Sequence, residues 1–124
     1  MTREAARDGF SPNPLVESHR VEGMPVRDGS GRRIGTVRHL VIEKVSGRVV
    51  YVVISFGGLL RRGSRLHPIP WEMLRYDRIM HGYRTEIMGR DVEGAPMSHE
   101  KLWCDQRREM EIRDSWDVPP FRGV

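Results

Sequence analysis

Residues 48–56 read Arg-Val-Val-Tyr-Val-Val-Ile-Ser-Phe, and Gly57 and Gly58 follow at once. Branched and aromatic side chains crowded between Gly47 and a glycine pair have the pattern of a strand buried on both sides. Alternation puts Val50, Val52, Ile54 and Phe56 on one face and Val49, Tyr51, Val53 and Ser55 on the other. Both faces are largely apolar, so each needs a cover. A chain built around this strand is constrained to a β domain.

The flanking sequence supplies more short strands with turn residues between them. Residues 24–27 read as a first strand, and Asp28-Gly29-Ser30-Gly31 as a turn in which glycine admits positive φ and the aspartate caps its own loop. Residues 34–44 form a second strand, and Val45-Ser46-Gly47 connects it tightly to the buried strand as an antiparallel hairpin. Beyond the loop 57–63, residues 66–70 make a shorter strand, and Pro70 opens one helical turn. Residues 74–77 and 83–87 then pair as a last hairpin through Met80-His81-Gly82. Five or six short strands with glycine at the corners predict a small barrel. Its expected core is Ile34, Val37, Leu40, Ile42, Val50, Val52, Ile54, Phe56, Ile69, Trp71, Leu74 and Ile87.

The chain of 124 residues suits one domain with tails. Residues 1–20, with Gly9, Pro12, Asn13 and Pro14 and no sustained periodicity, are expected to be a mobile arm; 21–90 carry the barrel; 91–124 form an acidic, partly helical extension. In that extension Ser98 can cap a helix over about residues 99–112, with Leu102, Trp103, Gln106 and Met110 on one side. No apolar run approaches the ~20 residues of a membrane span. The first residues lack the apolar segment of a secretory signal, and Cys104 is the single cysteine. Together these predict a cytoplasmic protein without a cysteine zinc cluster.

Charge is unevenly distributed. Residues 1–90 hold 16 Lys or Arg against 9 Asp or Glu, a balance of +7, whereas residues 91–124 hold 5 against 8, a balance of −3. A basic body of this kind serves either as a surface for phosphate or anionic lipid or simply as solvated arginine loops. The basic residues are not interleaved with the aromatics of a single-strand stacking platform, which places nucleic acid second among the expected partners.

Catalytic patterns are sparse. His19, His39, His67, His81 and His99 lack the close spacing that sets two metal ligands on one helix face. Asp77 and His81 straddle a turn and could meet Glu72 as an acid/base or metal cluster, although turn chemistry alone accounts for both. Ser55 lacks the flanking glycines of a nucleophile elbow, and Gly57-Gly58 lacks the rest of a phosphate loop. The expectation is a non-enzymatic protein with no cofactor and no metal; a hydrolytic or metal-dependent enzyme is the remote alternative.

Three segments in order, 26–37 (Val-Arg-Asp-Gly-Ser-Gly-Arg-Arg-Ile-Gly-Thr-Val), 47–58 and 69–77 (Ile-Pro-Trp-Glu-Met-Leu-Arg-Tyr-Asp), resemble the PRC-barrel family. The resemblance covers residues 21–87, and the stretch through Ala95-Pro96 and Trp103 is similar to the tails of bacterial stand-alone members. It implies a mainly β fold, a six-stranded antiparallel PRC-type β-barrel with a short helical C-terminal extension. Members include the cytoplasmic domain of the photosynthetic reaction centre H subunit and the carboxy-terminal domain of a ribosomal small-subunit maturation factor. The family is described by barrel residues rather than catalytic ones, so the resemblance implies an assembly or binding role.

The loop Gly57-Gly-Leu-Leu-Arg-Arg-Gly63 is the candidate contact surface. Leu59 and Leu60 lie between glycines where a loop is ordinarily polar, which suggests a partner or a plug over the barrel end. Arg61, Arg62 and Arg65 beside them can pair with carboxylates or phosphates. Tyr51, on the outward face of the buried strand, joins this expected surface unless the C-terminal tail covers it. A small barrel buries little of its surface, so a homo-oligomer, a dimer above all, is expected. The reading is an oligomeric protein-binding scaffold, with an RNA- or ribosome-associated module as the alternative.

Overall fold

The computed structural model describes residues 14–57, 65–87, 96 and 106–116. In chain order these form helix α1 (Ser18–Val21), strands β1 (Pro25–Arg27), β2 (Arg33–Ile42), β3 (Val49–Phe56) and β4 (Arg65–Pro70), a 3-10 turn (Trp71–Met73), β5 (Arg75–Asp77), β6 (Gly82–Arg84) and helix α2 (Gln106–Ser115). The strands make one sheet in the order β4-β3-β2-β1-β6-β5. The long hairpin β2–β3 is its centre, with Val37 opposite Ile54 and Leu40 opposite Val52.

Side chains tie the three reversals that lie within the described residues. Asp28 Oδ1 accepts from the backbone of Ser30 at 2.9 Å and of Arg32 at 3.0 Å, and from Ser30 Oγ at 2.6 Å. At the next hairpin the Glu43 carboxylate accepts from Val45 N and Ser46 N, while Gly47 takes φ 77°, a conformation costly for any side chain. At the last, Asp77 Oδ1 accepts from Ile79 N and Met80 N, and His81 adopts φ 53°. The Ser30 hydroxyl holds the Asp28 carboxyl below its usual range, and hydrogen bonds from Ser46 do the same for Glu43.

The mainly β fold is as expected, with two differences. β1 and β6 pair in parallel, Val26 opposite Tyr83 and Arg27 opposite Arg84, so the sheet is mixed. Among the described residues the ladder also stays open between β4 and β5. The reason lies at the 3-10 turn: it carries the chain round a corner without the reversal that a hairpin imposes, so β5 runs in the same sense as β4. The β5–β6 hairpin then brings β6 alongside β1 in the same direction. Gly82 permits that contact, since a Cβ there would sit 2.6 Å from the Pro25 carbonyl oxygen.

β3 is buried along Val50–Ile54, on both faces, as its sequence requires. Val26, Val37, Val52, Ile54 and Ile69 fill the interior, with Ile34, Leu40, Phe56 and Trp71 packed partly buried against them. Ile42, expected inside, is instead 49% exposed. An irregularity between Val41 and Ile42 shifts the register there and breaks the alternation that would have turned it inward. Val21, Val26, Tyr51 and Tyr83 belong to the core although they were not expected there. No helix among the described residues is long and apolar enough to cross a membrane.

Candidate interaction surfaces

The second face of β3 is closed by α2. Over its described length this helix runs past the expected end and uses a different side: Glu109, Ile112, Arg113 and Trp116, spaced as one helical stripe, face the sheet, while Met110 is 53% exposed. Leu102 and Trp103 lie outside the described residues. Two charged residues interrupt the stripe, which is why it does not stand out in the sequence as amphipathic.

Beneath α2 the Tyr51 hydroxyl donates to Glu109 Oε2 at 2.5 Å and accepts from Arg113 Nε at 3.0 Å. Arg113, itself buried, places its guanidinium carbon 4.8 Å from the Tyr51 ring centroid and donates from Nη1 to Glu72 Oε2 at 2.9 Å. Burial pushes the Tyr51 phenol far above its usual value, reinforced by the Glu109 hydrogen bond and moderated by Arg113. Tyr51 therefore offers no outward surface. Expected to face a partner, it is only 2% exposed, because the chain's own helix covers it.

The other residues expected to make contact fall elsewhere. Leu59, Leu60, Arg61 and Arg62 lie outside the described residues, and Arg65 is placed through its backbone, opposite Phe56 at the start of β4. Glu72, Asp77 and His81 do not converge: Glu72 is drawn to Arg113, and Asp77 is committed to its turn and to Arg84 at 3.2 Å. Among the described residues no group of three His, Cys, Asp or Glu could hold a metal ion.

The sheet register builds a feature that the linear sequence hides. Arg27 on β1 lies opposite Arg33 on β2 and opposite Arg84 on β6, and Arg84 in turn lies opposite Arg75 on β5. Four arginines thus stand in a row across four adjacent strands. Their face is the outer one: Val26 and Tyr83, the neighbours of Arg27 and Arg84 in their strands, point into the core. Arg33 lies on the same side, donating to Oγ1 of Thr36, the partner of Pro25.

Two of the four are held by backbone carbonyls. Arg27 Nη1 donates to the Gly31 carbonyl at 3.1 Å, and Arg84 reaches the carbonyls of Asp28 and Gly29. Carbonyls orient a guanidinium without cancelling its charge, and among the described residues Arg84 alone of the four has a carboxylate partner, Asp77. In sequence these arginines are separated by up to 57 positions, so only the strand order could have revealed them.

A six-stranded sheet around a filled apolar interior defines a small β-barrel-type module. The protein belongs to the PRC-barrel domain family, whose model matches residues 14–92. No curated protein sequence matches the chain significantly. Among solved structures, a putative 16S ribosomal RNA processing protein RimM from Pseudomonas aeruginosa is similar at 20% identity and a TM-score of 0.42. The match covers 73% of this chain and 50% of that one, so this chain spans about half the length of that protein.

Proposed function

We propose that the chain is a non-enzymatic binding module that engages an anionic partner on the outer face of the β2-β1-β6-β5 half of its sheet. The observation that supports this reading is the cross-strand row Arg33, Arg27, Arg84 and Arg75. Like charges directly opposite one another destabilise a free sheet, a repulsion that a bound anion would relieve, and the balance of +7 over residues 1–90 has the same sign as the row. The interior, occupied by Val26, Val37, Val52, Ile54 and Ile69, leaves recognition to the outside.

Retention on immobilised heparin, a generic polyanion, tests the reading. The wild type should elute at higher salt than the Arg33→Gln/Arg75→Gln variant, which removes the two ends of the row. Equal elution of the two proteins would sink it.

A second reading, a scaffold that binds protein or its own copy, draws support from the β5–β6 turn, where Ile79 is 85% and Met80 39% exposed. Light scattering on the full chain tests this one. A mass near a multiple of 14.4 kDa that Ile79→Asp reduces to 14.4 kDa would favour it, and a single 14.4 kDa species at micromolar concentration would remove the oligomer.

A further inference from the structure

Resting on the anion-binding reading above, we infer that the arginine row is a track for the phosphate backbone of a single nucleic-acid strand, bound without regard to base sequence. Adjacent strands lie about 4.8 Å apart, so three steps from Arg33 to Arg75 stretch over roughly 14 Å. A line of that length suits several phosphates in succession better than one compact anion. The ligand class follows from this shape as much as from the charge.

The field along the row is partly offset, since Asp77, Asp28 and Glu86 all carry negative charge beside it. Asp77 neutralises Arg84. Asp28, which follows Arg27, has its carboxylate tied to Ser30 and Arg32 of its own turn. Glu86 brings its carboxylate within 3.4 Å of where a Cβ on Gly29 would sit, and so weakens the field on that side. Arg27, Arg33 and Arg75 remain as cations without a carboxylate partner among the described residues. Arg27 is also preset by the Gly31 carbonyl, so little side-chain freedom is lost when it binds.

The same face argues against an acidic protein as the ligand. Protein interfaces are organised around a desolvated apolar or aromatic centre. Here the aromatic side chains described on β5 and β6 lie on the opposite face: Tyr76, 39% exposed, and Tyr83 pack edge-to-face at 5.4 Å, and Tyr83 meets Trp71 at 5.6 Å. An arginine row with no aromatic beside it among the described residues holds phosphates without stacking bases, which is why no sequence preference is expected.

Fluorescence anisotropy of the full chain with a dye-labelled single-stranded RNA of mixed sequence, about 12 nucleotides long and titrated between 50 and 200 mM salt, tests the inference. Each phosphate neutralised on a single strand contributes about −0.7 to the slope of log affinity against log salt, so three free arginines predict a slope near −2. Arg33→Gln/Arg75→Gln should bring it to about −0.7. Both substitutions are at exposed positions, and an unchanged melting temperature would show that the variant is folded. A second RNA of unrelated sequence should bind with equal affinity.

Identical slopes for wild type and variant, or no RNA binding at 50 mM salt, would overturn the inference. So would competition by polyglutamate as effective as that by unlabelled RNA, which would make the row a general anion site. Heparin retention that depends on the row, without RNA binding, would overturn the nucleic-acid assignment and leave the broader anion reading standing.

Discussion

Arg113 Nε donates a 3.0 Å hydrogen bond to the hydroxyl of Tyr51, 62 positions earlier in the chain. The contact joins α2 to the central strand and places a buried guanidinium against a buried phenol. Glu109 and Glu72 complete a chain of four side chains from two segments of the barrel and from the helix. Hydrogen bonds give the cover a defined seat, while Ile112 and Trp116 supply the apolar burial.

Removing the hydroxyl at this junction leaves the buried Arg113 Nε without its acceptor. Tyr51→Phe is expected to destabilise the domain by about 1–3 kcal/mol, the usual penalty for an orphaned buried polar group. Urea denaturation measures it, and a change below about 0.5 kcal/mol would mean that α2 does not depend on this bond.

The same residue predicts a loss of stability in alkali. Its folded pKa is raised above that of the unfolded chain, so its contribution is fully present below about pH 10 and is lost as the pH rises further, because only the unfolded chain then ionises. Unfolding free energy should fall above that pH by up to about 1.4 kcal/mol per pH unit for this group. Tyr51→Phe should show a shallower decline than the wild type; matching slopes would contradict the burial of the phenol.

Acid should loosen the turns instead. The Asp28 and Glu43 carboxyls are both held below their ordinary values by hydrogen bonds within their loops, so their contribution exists above those values and is lost as the pH falls through the folded ones. Asp28→Ala and Glu43→Ala should each flatten the decline in melting temperature between about pH 5 and pH 2. Variants as acid-sensitive as the wild type would count against these loop bonds.

Core and close-packed positions carry larger costs. Ile54→Ala empties a fully buried site and should cost about 2–5 kcal/mol. Gly82→Ala drives a methyl group into the Pro25 carbonyl and should cost about 1–3 kcal/mol by parting β6 from β1. Thermal melts report both, and an unaltered Gly82→Ala protein would contradict the close pairing of these strands.

Several elements were legible in the chain because local chemistry decides them. The run Val49–Phe56 could only be a strand buried on both faces, since its apolar residues alternate without a polar side. Asp28 and Asp77 marked their turns, because a carboxylate near its own backbone amides favours reversal whatever surrounds it. Pro70 before Trp71 marked the corner that became the 3-10 turn. The succession of strands, and with it the family resemblance, follows from signals of this range.

Tertiary structure decided what depends on which strands become neighbours. A corner and a reversal look alike in sequence, so the parallel pairing of β1 with β6 waited on the path through Trp71–Met73. The polar residues Glu109 and Arg113 concealed the buried stripe of α2, because their partners Tyr51 and Glu72 come from distant segments. The arginine row has the same origin. Nothing in sequence links Arg27, Arg33, Arg75 and Arg84 until sheet order sets them side by side, because register, not spacing along the chain, determines which charges share a field.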